Sequence, residues 1–391
     1  MLKLGGRSGM YRLDEEQTAR IEDLRRIADE RIAPHAADVD EKARFPREAL
    51  DALARAGWLG LTIPTDYGGQ GQGMRVACAA LDEIAQRCAS TALIYLMHLC
   101  GSACYTAHSE GHEDTLRQVA QGDHLSTLAW SERGSRSHFW APVSQAEQND
   151  GQVVLSALKS WVTSAGEADG YVICTRIPAE MEVTDTILYL VRNDDAGLRI
   201  SGAWDSLGMR GNGSAPMVLE DCRIPAERAL CEPGQGFPRQ LEILPWFNLG
   251  NAAASVGIAD AAVLATTKHL TASRLEHLGS RLADLPNLRA RLAQMRIETD
   301  RARAHVVSAL DAVESAAPNA MLLVLSSKAA AAESAMRVTD LGMQACGGAA
   351  FSKHLTLERN FRDSRAASVM APTSDVLHDF IGRALCGMEL F

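Results

Sequence analysis

Aromatic side chains are scarce in this chain: Phe, Trp and Tyr together make up 5% of its 391 residues. It also has no Cys-x-x-Cys pair, and no apolar stretch that reads as approaching the roughly 20 residues needed to span a bilayer. The N-terminus, Met1 to Gly6, lacks the apolar core of a signal peptide. Basic residues are the minority charge, 39 against 49 acidic, for a net charge of −10. That balance gives no footprint for nucleic acid or an anionic membrane surface. What is present is ordinary globular material, 47% hydrophobic and 23% charged, which excludes disordered, collagen-like and coiled-coil classes. The length exceeds what one core usually fills, so two or three packed subregions are expected.

Nine scattered cysteines, an odd number, read as reduced thiols of a cytoplasmic protein. His98, Cys100, Cys104 and His108 are the one cluster with metal-ligand residue types. On a helix, Cys100 and His108 lie about 12 Å apart, whereas zinc holds its ligands within about 2.3 Å. Thiols lining a buried helix face are the better reading, and no metal is expected.

Three textures follow one another. Residues 11 to about 125 read as helices: Asp14–Ala37 and Arg47–Ala56 carry apolar residues at three- and four-residue spacing, and Met74–Ala107 is small and apolar. The glycine-rich segment between them, Leu61–Gly73, is not a dinucleotide loop. Its spacing is not G-x-G-x-x-G and no βαβ unit surrounds it. From Ser126 the chain turns to short β-branched or alternating runs, Val153–Ala157, Tyr171–Cys174, Thr186–Val191 and Met217–Leu219, separated by turns such as Asn149–Gly151 and Gly211–Gly213. After Gly236 helical periodicity returns through Asn248–Leu270, Leu288–Val313, Ala320–Leu341 and Ser374–Leu385. The order predicts an α+β, mainly α protein with an N-terminal all-α domain (1–125), a middle β-barrel or sandwich domain (126–235) and a C-terminal four-helix bundle (236–391).

Six segments, in this order, resemble the signatures of the acyl-CoA dehydrogenase family of flavoproteins. They are Pro64–Gly71; Ser131-Glu132-Arg133-Gly134-Ser135-Arg136-Ser137; Lys159-Ser160-Trp161-Val162-Thr163-Ser164-Ala165; Leu207–Asn212 with Asp221–Pro225; Gln344–Gly348; and Glu358–Asp363. The resemblance implies FAD as cofactor. It places Trp161 and Thr163 against the flavin ring, with the Thr163 hydroxyl near N5, and Ser131 and Ser137 on the segment that addresses the ring's pyrimidine side. It assigns Arg274, Gln344, Gly347 and Gly348 to the diphosphate end, which in this family reaches a neighbouring subunit. A homo-oligomer, a tetramer or at least a dimer, is therefore implied. Thr373 and Ser374 match hydroxyls that open the final helix near phosphate, and read equally as plain N-caps.

Family dehydrogenases remove an α-proton from an acyl thioester while the β-hydrogen leaves as hydride to flavin N5, and a glutamate takes the proton. At the usual glutamate position this chain has Ala371. At the alternative position, on the helix that opens the bundle, it has Phe247 followed by Asn248. Glu242 and Asp375 are the nearest carboxylates in sequence and so the candidates for a relocated base. Two further accounts stand beside that one. The fold runs other flavin chemistry, as an oxidase or monooxygenase with His98 and His354 handling protons; or the chain is a non-catalytic flavin- or acyl-binding subunit of a heteromeric enzyme. The substrate implied is an acyl-CoA or an acyl group on a carrier protein, with electron-transfer flavoprotein or oxygen as acceptor.

Overall fold

The computed structural model describes residues 10–136, 138–149, 151–177 and 182–390. Met1 to Gly6, Ser137, and Asp150 of the expected turn lie outside the described residues.

The first helix, α1 (Glu15–Ile27), opens with a capping box. The Asp14 side chain accepts the Gln17 N–H at 2.8 Å, and Gln17 reciprocates at 3.2 Å. The chain does not continue to Ala37 as one helix. Pro34 cannot donate to the helical ladder, and the segment passes through a wide turn at Ala28–Ile32 and a tight one at Ala33–His35 before α2 (Ala36–Lys42). After α3 (Arg47–Arg55), the small apolar stretch forms two helices, α4 (Met74–Ala85) and α5 (Ala89–Ala107), broken where Cys88 adopts extended backbone. α6 (Glu113–Gln121) closes this layer.

Seven strands follow: β1 (Ser126–Ala129), β2 (Ala146–Asn149), β3 (Gln152–Val162), β4 (Gly170–Arg176), β5 (Thr186–Arg192), β6 (Leu198–Ile200) and β7 (Ala215–Pro225). They form two sheets, β1-β4-β5 and β2-β3-β7-β6. β1 runs parallel to β4; the other neighbours are antiparallel. Along β3, Val153, Leu155, Ala157 and Lys159 face inward while Ser156 and Leu158 face out, the period-2 signature of a half-buried strand.

α7 (Gly236–Ala272) begins twelve residues earlier than its periodicity suggested and carries Pro245 in its interior. Its most apolar window is long and apolar enough to cross a membrane, a property the sequence reading missed, but 78% of that window is buried inside the protein. A short hairpin, β8 (Arg274–Leu275) and β9 (Ser280–Arg281), leads to α8 (Pro286–Glu314) and α9 (Ala320–Cys346). Gly347, at φ +56° and ψ −135°, ends α9 in backbone that an L side chain adopts only with strain. Short helices α10 (Gly348–Phe351), α11 (Leu357–Asp363) and α12 (Ala366–Val369) precede α13 (Ser374–Leu385). α7, α8, α9 and α13 pack side by side.

One continuous apolar core runs from Tyr11 through both sheets to Phe380. Polar joints fasten the layers. Arg303 on α8 lies buried between Asp82 of α4, at 3.1 Å, and Asp260 of α7, and Arg296 reaches Asp260 at 2.6 Å. A second joint unites two of the recognised signatures. Met209 N–H donates to Asp363 at 2.6 Å, and Arg362 holds Asp40 of α2 (2.8 and 2.6 Å) together with Glu358. A Cβ on Gly208 would meet the Arg362 carbonyl at 2.6 Å, so this approach requires glycine. Burial pushes the Asp363 carboxyl up to about 6, against the opposing Met209 N–H. These two motifs build a three-way joint rather than a reactive centre.

Candidate active site

The residues expected to bind the cofactor fall in two places. On the middle domain, β3 ends in a bulge: Lys159 pairs with Met217 but Val162 pairs with Ala215, so Ser160 and Trp161 fall out of register. Trp161 takes φ +56° and turns its indole outward, 68% exposed, with the Trp204 ring edge-on at 6.0 Å between centroids. Ser164 also has positive φ, +60°. Two non-glycine residues in the left-handed region within four positions are strained backbone, which clusters at functional sites. Thr163 is buried, its hydroxyl 3.0 Å from that of Ser214, while the Ser164 hydroxyl is buried with no protein partner. Ser131 lies alongside, its carbonyl accepting the Ser160 N–H at 3.0 Å.

Beneath this surface sits a buried ion pair. The Glu132 carboxylate takes Lys159 Nζ at 2.5 Å, the N–H groups of Val143 and Ser144 at 2.6 and 2.8 Å, and the Ser144 hydroxyl. Burial opposes ionisation of Glu132, but the Lys159 ammonium and these donors win and hold its carboxyl below the usual range.

The loop after Ser137 reaches the last helix, where Trp140 meets Phe380 at 5.6 Å between ring centroids. A cleft of about 340 Å³ opens there, lined by His138, Trp140, Asp375, Asp379, Phe380 and Arg383 among others. At the start of α13, Thr373 occupies the N-cap position, yet its side chain makes no capping bond, and the Ser374 hydroxyl is buried without a partner. Plain capping therefore does not account for these two hydroxyls.

The candidate carboxylates differ in setting. Asp375 is exposed, lines the cleft, and has no ion-pair partner among the described residues. Glu242 is also exposed, but it is ion-paired with Arg239 three residues earlier on α7. Both histidines raised for proton handling are poorly placed. His98 is fully buried, with Nε2 2.8 Å from the Leu59 carbonyl and Nδ1 accepting the Ser126 N–H at 3.1 Å, and burial pushes its pKa down to about 4. His354 is exposed in the segment between α10 and α11.

Around Ala371 the structure brings together residues that the motif reading missed. Lys328 of α9 is fully buried, and its ammonium donates to the carbonyls on both sides of Ala371, Met370 at 2.8 Å and Pro372 at 2.6 Å. Phe247 of α7 presents its ring 5.6 Å from Lys328 Nζ. Asn251 contacts the Met370 sulfur at 3.9 Å, and both amide atoms of Asn248 are buried without partners. The loop around Ala371 and the Phe247 ring thus converge on one lysine. The available signal was a lysine in an alanine-serine run with Val324 and Ala332, not a carboxylate, four residues to either side.

The second place is one end of the bundle. Leu270, Leu288 and Ala345 form a small core there, which seats the β8–β9 hairpin carrying exposed Arg274 beside the end of α9 carrying exposed Gln344. Gly347 and Gly348 follow directly, both exposed and with nothing within 4 Å of a would-be Cβ. Among the described residues, no hydrogen bond or ring contact joins this group to Trp161, Thr163 or Ser374.

An outward-facing indole, a hydroxyl pair and partnerless buried hydroxyls fit a planar heteroaromatic ring with a hydrogen-bonding edge. An exposed arginine with no ion-pair partner among the described residues, and an open glycine pair at the same end of the bundle, fit a diphosphate.

Family models for the acyl-CoA dehydrogenase N-terminal, middle and C-terminal domains match residues 14–123, 127–222 and 234–386. A probable acyl-CoA dehydrogenase of Mycobacterium tuberculosis is 31% identical over 381 residues, covering 96% of this chain and 97% of that protein. Among solved structures, butyryl-CoA dehydrogenase from Megasphaera elsdenii superposes with TM-score 0.90 at 22% identity, covering 96% and 99% of the two chains. The FAD complex of PigA superposes with TM-score 0.88 at 18% identity, covering 96% and 98%. The last two likenesses are of fold.

Proposed function

The chain belongs to the acyl-CoA dehydrogenase family of FAD-binding oxidoreductases acting on CH–CH groups, and from that premise we propose that it oxidises an acyl thioester to the α,β-enoyl thioester. The observation that carries this reading is the bulge that turns Trp161 out of β3 beside Thr163. When bound, FAD supplies the hydride acceptor.

In this reading Trp161 covers the ring, and Thr163 and Ser131 address its polar edge. Thr373 and Ser374 bind from the start of α13, where free N–H groups favour an anion. Arg274, Gln344, Gly347 and Gly348 hold the diphosphate of a cofactor shared with a second copy of the chain, because they lie at the far end of the bundle from the ring residues. Ala371 has a methyl group where a carboxylate is usual, so it accepts no proton; its N–H remains to polarise the thioester carbonyl. Asp375 takes the α-proton, supported by its place on the cleft; Glu242, already paired with Arg239, does not. The acyl group is carried on coenzyme A and the electrons pass to an electron-transfer flavoprotein.

One observation favours a second reading. Ala371 and Phe247 leave both family base positions without a carboxylate, which suits flavin–oxygen chemistry on the same fold. Turnover of a series of acyl-CoAs with an artificial one-electron acceptor separates the two. Enoyl-CoA formed without oxygen supports dehydrogenation. No enoyl-CoA from any chain length, together with oxygenated product when a flavin reductase and oxygen are added, supports the second reading.

A further inference from the structure

Lys328 is a fully buried cation with no anionic partner among the described residues. Its acceptors among the described residues are two neutral carbonyls, and the Phe247 ring lies against it. The elements packed on α9 bring their charges elsewhere. His378 of α13 pairs with Glu333 at 3.0 Å, His305 of α8 lies 2.9 Å from the Ser326 hydroxyl, and Glu298 of α8 takes Ser334 and Arg301. Glu358 and Asp363 of α11 are held by Arg362 and the Met209 N–H, Asp375 of α13 is exposed, and α7 offers Phe247 and Asn251. A buried ammonium is disfavoured unless well-placed hydrogen bonds satisfy it, and here they do. Both charge-assisted bonds fall on the residues flanking Ala371.

We propose that Lys328 is the positioning residue of this site: by fastening the Met370 and Pro372 carbonyls it fixes the loop that presents the Ala371 N–H, and loss of its proton loosens that loop. The functional part of this statement rests on the reading of Ala371 as the carbonyl-polarising position. Charge-assisted bonds are roughly twice as strong as neutral ones, so deprotonation weakens both fastenings at once. Burial pushes the ammonium's pKa down to about 7. A purely structural lysine, charged throughout, would show no such dependence.

The test is hydrogen–deuterium exchange of the peptide spanning 366–374 in the full-length protein, corrected for intrinsic rates, between pH 6 and 8.5. Wild-type protection is expected to fall about tenfold across that interval. Lys328→Arg, which keeps its charge, is expected to be protected and flat; Lys328→Met is expected to be poorly protected at every pH. Wild-type protection that stays constant across the interval overturns the proposal, as does Lys328→Met protected like wild type. Should Lys328→Met fail to fold, the wild-type and Lys328→Arg profiles decide alone. Exchange uses neither thioester nor turnover, so this result and the dehydrogenation reading fail independently.

Discussion

Replacing Glu132 by Gln should destabilise the middle domain far more than replacing Lys159 by Met, and the hydrogen-bond inventory sets the asymmetry. Lys159 is wholly buried, and its acceptors are Glu132 and the Cys174 carbonyl, each at 2.5 Å. Glu132→Gln leaves that ammonium without a counter-charge, facing only neutral oxygens, and removing one partner of a buried pair costs about 3–5 kcal/mol. Lys159→Met instead leaves a carboxylate that still accepts from Val143 N–H, Ser144 N–H and the Ser144 hydroxyl; its loss should be about half as large. With an unfolding entropy near 2.1 cal/mol/K per residue, 391 residues give about 0.8 kcal/mol per degree. Glu132→Gln should therefore lower the melting temperature by about 4–6 °C if the chain melts as one unit, and by more if the middle domain melts alone. Because the Glu132 carboxyl is held below its ordinary range, its contribution is full at neutral pH and lost as pH falls below that range. The assay is thermal unfolding followed by far-UV circular dichroism, at pH 7 and pH 4. Equal shifts for the two variants, or a shift under 1 °C for Glu132→Gln, would refute the argument.

Four further outcomes are expected. Trp161→Ala should change the stability of flavin-free protein by less than about 0.5 kcal/mol, since the indole is mostly exposed, yet weaken FAD retention on gel filtration at least tenfold; unchanged retention removes Trp161 from the site. Asp375→Asn should slow flavin reduction by acyl-CoA at least a hundredfold, the lower range for losing general-base catalysis, whereas Glu242→Gln should leave it unchanged; the opposite pattern in stopped-flow traces moves the base to α7. Arg303→Met leaves buried Asp82 without its cation and Asp260 with Arg296 as its ion-pair partner and should cost about 3–5 kcal/mol by urea unfolding; a loss below 1 kcal/mol contradicts the joint between the first and last layers. His98 and His124, both pushed down to about 4 by burial, make folding favour the neutral rings, so stability is full above about pH 6.5 and declines towards pH 4, by up to about 2.7 kcal/mol per pH unit for the pair. His124→Phe should roughly halve that slope of the urea midpoint with pH, and an unchanged slope excludes the assignment.

The layer order was readable because hydrophobic period shifts from 3.6 to 2 and back along the chain, and α13 falls where its pattern placed it, Ser374–Leu385. Boundaries went astray where tertiary packing overrode local signals. Pro245 and Gly250 argue against a continuous α7, but Gly250 is where Leu81 and Leu96 press closest, so the glycine is a packing requirement rather than a stop. Two-residue strands such as β8 and β9 are too short to show a period. Among the candidate site residues, Trp161 and Thr163 carry a local motif signature, whereas Lys328 does not. Its role comes from a carbonyl pair 42 and 44 positions away and from burial that a single lysine in an alanine-rich helix does not announce.

Anaerobic titration of the purified flavoprotein with acyl-CoAs of increasing chain length tests the central claim most directly. The account predicts that at least one bleaches the oxidised-flavin absorbance with one enoyl-CoA formed per flavin reduced. Flavin that stays oxidised with every member of the series, while the same thioesters bind, would contradict it.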